Sequence, residues 1–92
     1  MEIEFDPAKD ASNRVKHGIR LARASEFKPV KILEDDRKNY GETRYRGFGF
    51  IGAKAYVLAF TVRQTEHGER VRAISLRSAT ENEIERYGLK KK

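Results

Sequence analysis

The spacing of apolar residues changes once along the chain, near Pro29. Before it, the run IEF (residues 3–5) predicts a short strand, and DPAKDASNRVKHG carries the boundary signals of a helix. Asp6 can cap, Pro7 suits the first helical position, and Gly18 can take the left-handed conformation that ends a helix. Ala8, Ala11 and Val15 recur at i, i+3 and i+7, which predicts a thin packing stripe, with Lys9, Asn13, Lys16 and His17 on another face. IRLARASEF (19–27) predicts a second, short helix that Pro29 helps to terminate, although Arg20 stands where a Ser or Asp cap is expected.

After Pro29 the period is two: VKIL, TRYRGFGFIG, KAYVLAFTVR and ERVRAISLR read as four strands. The third is apolar on both faces and is expected to be central. Short turns, Gly52-Ala53 and Gln64 to Gly68, favour antiparallel hairpins. Gly47 and Gly49 share a face, so a bulky element such as a helix is expected to approach the sheet there. SATENEIERYG closes the chain as a helix with a Thr80/Glu83 capping box and an Ala79/Ile84 staple, and Leu89–Lys92 are expected to fray as a basic tail. The pattern is that of one α+β domain over residues 1–92: a short N-terminal strand, two N-terminal helices, a four-stranded mainly antiparallel sheet and a C-terminal helix.

Charge adds a bias in partners. Twenty Lys and Arg against 14 Asp and Glu leave +6, a field that favours polyanions, nucleic acid first, with an acidic protein or an anionic membrane surface responding to the same field. The absence of cysteine excludes disulfides, thiolate metal sites and a thiol nucleophile. No apolar run of spanning length and no secretory profile at the start make a soluble cytoplasmic protein the expectation. There is no Gly-rich phosphate loop and no His-x-x-x-His pair, so neither nucleotide hydrolysis nor zinc chemistry is indicated, and no cofactor is expected.

The chemistry-bearing residues concentrate in RKNYGETRYR (37–46), which has four basic residues, two tyrosines and one glutamate and no aliphatic side chain. Cleaving RNA needs a base for the 2′-hydroxyl proton, cations over the phosphorane oxygens and an acid for the leaving 5′-oxygen. Glu42 is a candidate base among Arg37, Arg44 and Arg46, or a surface ion-pair partner. Arg63 and Arg77 end strands where a guanidinium can clamp a phosphate or simply snorkel. Tyr40 and Tyr45 can stack on unpaired bases or cover the sheet edge. His17, beside Lys16 at a helix C-terminus, can be an acid or a cap; His67 falls in a turn and reads as decorative.

Three segments in order, FDPAKxxxNxxKHGI (5–19), LEDDRxxYGExRYxxxG (33–49) and RVRAISLRSATxxEIERY (70–87), resemble the BrnT family, ribonuclease toxins of bacterial type II toxin–antitoxin pairs with a fold similar to RelE-type toxins. The resemblance implies a metal-independent endoribonuclease that slows translation and is held inactive by a small BrnA-type, ribbon-helix-helix antitoxin that also binds the operon's DNA. Lys16, His17, Tyr40, Glu42, Arg44, Arg63 and Arg77 fall in or beside the patterned segments. Two positions depart from the family's pattern: Leu76 stands where Ala is frequent, and Phe5 where Trp is. The competing class is a basic interaction module that binds nucleic acid or an acidic partner without cutting.

Overall fold

The computed structural model describes residues 3–90, so the fraying expected of Lys91 and Lys92 lies outside the described residues. The elements are β1 (Ile3–Glu4), α1 (Pro7–His17), a 3₁₀ helix (Leu21–Glu26), β2 (Lys28–Asp35), β3 (Arg44–Ile51), β4 (Lys54–Thr65), β5 (Gly68–Ser78) and α2 (Glu81–Arg86). They form an α+β fold around one sheet of order β1-β5-β4-β3-β2, with β4 in the middle as its two apolar faces predict. Strands β2 to β5 are antiparallel neighbours, and β1 joins β5 in parallel, so the sheet is mixed and has five strands rather than four.

Two cores flank it. On one face Ile19, Leu21 and Ala24 pack onto Ile51, Tyr56, Leu58, Phe60, Val71, Ala73 and Leu76. On the other, Ile84, Tyr87 and Leu89 cover Phe48, Ala55 and Val57, with the Tyr87 ring stacked 4.0 Å from that of Phe48. Fully burying side chains such as Phe48, Leu21 and Leu76 stabilises by about 1.5–3 kcal/mol each. Leu89, expected to fray, is instead buried, and its N–H donates to the Ile84 carbonyl. The apolar side chain, not the basic neighbours, decides that residue's place.

The packing face of α1 is not the one predicted. Ala8, Ala11 and Val15 are exposed, Val15 at 87%, and the inward residue is Asn13. The reason lies in β1, which among the described residues pairs with Val71 and Arg72 and leaves the outer edge of β5 open further on. There Asn13 Nδ2 donates to the Leu76 carbonyl at 2.8 Å while Asn13 Oδ1 accepts from the Leu76 N–H at 3.0 Å. A carboxamide completes both backbone bonds as a strand neighbour would, which no apolar side chain can do. Nδ2 also donates to the Ile19 carbonyl.

The second predicted helix is 3₁₀, and its missing cap comes from a distance: Asp10 Oδ1 accepts from the Ala22 N–H at 2.9 Å. Pro29 does not terminate that helix but sits in β2, an edge strand, at a bulge where no ladder donor is needed. The glycine pair does mark a close approach, though not of a helix. A Cβ at Gly47 would lie 3.1 Å from the Phe27 ring, and one at Gly49 would collide with the Lys28 carbonyl where β2 crosses. The Thr80/Glu83 capping box of α2 forms as predicted.

A second bulge shapes the site. Ala59 pairs with Ser75 but Phe60 pairs with Ala73, so Ile74 is extra in β5. Odd-numbered Val71 and Ala73 and even-numbered Leu76 therefore share one core, and Arg72 and Arg77 both point to the opposite face.

Candidate functional site

One row of side chains crosses all five strands on the face opposite the 3₁₀ helix. Asp35 of β2 pairs with Arg44 of β3, Thr61 of β4 pairs with Arg72 of β5, and Arg72 pairs with Glu4 of β1. Thr61 follows Phe60, the register partner of Tyr45, which places it beside Arg44. In the neighbouring row Arg46 pairs with Leu33 and with Ala59. The central strand thus offers only Ala59 and buried Thr61 between the arginines of β3 and of β5. Two strand spacings separate those banks, about 10 Å, and the result is a shallow trough with guanidinium walls. α2, packed over Ala55 and Val57, stands at one end, and Arg63 lies beyond Thr61 at the other.

The ion pairs around this trough are of two kinds. Arg37 grips Asp35 with Nε at 2.7 Å and Nη2 at 2.9 Å, and Tyr40 Oη donates to the same carboxylate. The Arg37 hydrogen bonds hold the Asp35 carboxyl well below the usual carboxylate range, and Asp35 in turn raises Arg37. Arg77 grips Glu83 in the same bidentate way at 2.8 and 2.9 Å, which lowers Glu83 to about 2. Arg77 is raised by those bonds, with the nearby Arg37 charge acting against them. These pairs anchor the 36–43 loop and α2. By contrast, Arg63 Nη1 gives Glu4 one hydrogen bond at 3.4 Å and Arg72 Nη1 stands 3.6 Å from the same carboxylate oxygen, while Arg44 Nε gives Glu42 one hydrogen bond at 3.2 Å. Among the described residues the other guanidinium nitrogens of Arg63 and Arg72 make no hydrogen bond and can meet a ligand.

The residues singled out by sequence divide accordingly. Arg44, Arg46 and Arg63 share the face, and Arg46 belongs to β3; its Nε is buried without a hydrogen-bond partner among the described residues. Glu42 and Arg63 line one polar pocket with Thr61 and Gln64. Tyr40 lies beneath Arg44, whose guanidinium carbon is 4.2 Å from the ring centroid. Tyr45 turns to the other face and stacks on Phe60. Arg63 and Arg77 are not neighbours: Arg63 pairs with Arg70, Arg77 with Val57, so their backbones stand six residues apart along β4, about 20 Å. Lys16 and His17 are exposed on the last turn of α1. One turn earlier, Asn13 is tied to Leu76, five ladder steps along the sheet from the Arg63–Arg70 pair, about 17 Å, so the fold does not bring His17 to Glu42 and Arg63.

Sequence reasoning missed Arg72, Glu4, Asp35 and Thr61. Strand parity in ERVRAIS could have flagged Arg72; Glu4 needed the parallel pairing of β1. Among the described residues no three His, Cys, Asp or Glu side chains are grouped to hold a metal ion, and no helix is long and apolar enough to cross a membrane.

A guanidinium-lined trough on a fixed sheet suits a flexible phosphodiester chain, and comparison with known proteins agrees. No curated protein matches the chain. The model of the ribonuclease toxin BrnT of type II toxin–antitoxin systems, however, matches residues 5–83, from the last residue before the α1 cap into α2. By that match over nearly its whole length, the chain belongs to the BrnT family of ribonuclease toxins of type II toxin–antitoxin systems.

Proposed function

We propose that the protein is a metal-independent endoribonuclease that cuts RNA along the arginine trough and so slows translation in the cytoplasm. The observation that carries this reading is the placement of Arg44, Arg46 and Arg72 on two strands flanking small Ala59 and Thr61. Phosphates lie against these guanidiniums, with Arg63 at the open end, and fixed cations stabilise charge that develops on a phosphorane without reorganising. A carboxylate beside the trough takes the 2′-hydroxyl proton; Glu42 is the one the sequence indicates. Arg37 and Tyr40, tied to Asp35, shape the loop wall, Lys16 contributes long-range attraction from α1, and Arg77 orders the α2 end. The packing of helical elements on a mainly antiparallel sheet supports kinship with RelE-type toxins.

The antitoxin, of BrnA type with a ribbon-helix-helix fold, covers the same face and carries the complex to operator DNA as a hetero-oligomer. The test is incubation of purified protein with single-stranded RNA in EDTA. Cleavage to 2′,3′-cyclic phosphate ends is expected, and adding the antitoxin protects the RNA. Cleavage only after Mg²⁺ is added overturns the metal-free mechanism, and tight binding without cleavage establishes the interaction module instead.

A further inference from the structure

The geometry points to Glu4, rather than Glu42, as the carboxylate that takes the 2′-hydroxyl proton, an assignment that rests on the ribonuclease reading. The two acids differ in how they are held. Glu42 follows Gly41 in the exposed 36–43 loop, half exposed, and touches one arginine. Glu4 is on a strand. Its neighbour Ile3 is packed against the core, and its backbone is in register with Arg72, so the carboxylate is aimed at the arginine face. It lies between two guanidiniums, Arg63 at 3.4 Å and Arg72 at 3.6 Å.

A structural clamp in this protein looks different. Asp35 and Glu83 are each gripped by two short bonds from one arginine and are less exposed, at 5% and 17% of the side chain, against 30% for Glu4. Among the described residues Arg63 gives Glu4 a single hydrogen bond, from Nη1, and Arg72 approaches it at 3.6 Å without one, which leaves further N–H groups of each for the non-bridging oxygens of a phosphate. A nucleotide whose phosphate those arginines hold brings its 2′-oxygen beside Glu4.

In the reaction the 2′-oxygen attacks phosphorus and its proton passes to a Glu4 carboxylate oxygen. The P–O2′ bond forms as P–O5′ breaks, and the departing 5′-oxygen keeps the bonding pair and takes a proton from water. The hydroxide so formed recovers the proton from Glu4. Arg63 and Arg72 stay protonated throughout, and the products are a 2′,3′-cyclic phosphate and a 5′-hydroxyl.

The experiment compares Glu4→Gln and Glu42→Gln with the wild type in EDTA, by single-turnover cleavage of a single-stranded RNA and by binding of its non-cleavable 2′-O-methyl analogue. Glu4→Gln is expected to lose on the order of a hundredfold or more in rate, at least ten times more than Glu42→Gln loses, with affinity for the analogue kept within about threefold. Glu4→Ala covers the case in which glutamine disturbs the sheet: added formate, which can enter the vacated space, restores part of its rate. Wild-type cleavage with an undiminished Glu4→Gln variant, a larger loss for Glu42→Gln, or a Glu4→Ala protein that formate leaves unchanged would each overturn the assignment while leaving the ribonuclease reading intact. A wild type that cuts no RNA overturns both.

Discussion

Asn13 carries more of the fold than its polarity suggests. Replacing it by Ala leaves the outward N–H and C=O of Leu76 unpaired in a buried setting, and each such group costs about 1–3 kcal/mol. Asn13→Ala should lower unfolding free energy in urea by about 2–4 kcal/mol, whereas Val15→Lys, on the exposed stripe, should change it by less than about 0.5 kcal/mol. The i, i+3, i+7 spacing of Ala8, Ala11 and Val15 was legible but pointed the wrong way, because periodicity assumes that a buried helix face is apolar. Here the surface it meets is an open strand edge, which demands a donor and an acceptor. Glu83 supplies a second residue-scale prediction. Its folded pKa is depressed from 4.5 to about 2 by the Arg77 hydrogen bonds, so the stability it contributes is complete above about 4.5 and is lost as pH falls toward 2. The shift corresponds to roughly 3 kcal/mol. Arg77→Ala should remove the larger part of that contribution, the Thr80 N–H still donating to the Glu83 carboxylate, flattening the acid side of a stability profile over this window and lowering Tm at neutral pH by about 4–8 °C for each kcal/mol lost.

Among elements, the strands were legible because each core residue is answered by an alternate one. Tyr56, Leu58 and Phe60 meet one core while Ala55 and Val57 meet the other, and Gly52-Ala53 forms the turn as read. What could not be seen was who pairs with whom: β1, two residues long, enters the sheet only because β5 offers it an edge, and a local pattern holds no information on that. Gly47 and Gly49 signalled a close approach without saying of what. The difference is measurable. At Gly49 the obstacle is the backbone of Lys28, which cannot give without moving β2, so Gly49→Ala should destabilise by about 2 kcal/mol or more in urea unfolding. At Gly47 the obstacle is the Phe27 ring, which can tilt, and Gly47→Ala should cost less than Gly49→Ala.

At the scale of the whole molecule, the +6 charge gains meaning from its arrangement. The sequence showed RKNYGETRYR as a basic cluster, and Arg44 and Arg46 do belong to the candidate trough, but the fold completes it with Arg72 and Glu4, remote in sequence and invisible without topology. RNA affinity should fall with salt, and Arg44→Ala, Arg46→Ala and Arg72→Ala should each reduce the slope of log affinity against log salt by about one counterion, measured by anisotropy with an uncleavable RNA. The extra residue in β5 has a consequence for how this chain can change over time. Arg72 and Arg77 are five positions apart, and only the supernumerary Ile74 brings both to one side. Losing that single codon would invert everything downstream of it, turning Leu76 to water and the Arg77 charge into the core, and α2 would be delivered to the wrong side of the sheet. The register therefore depends on the presence of a residue at 74 rather than on its side chain, and length in β5 is constrained to change by pairs.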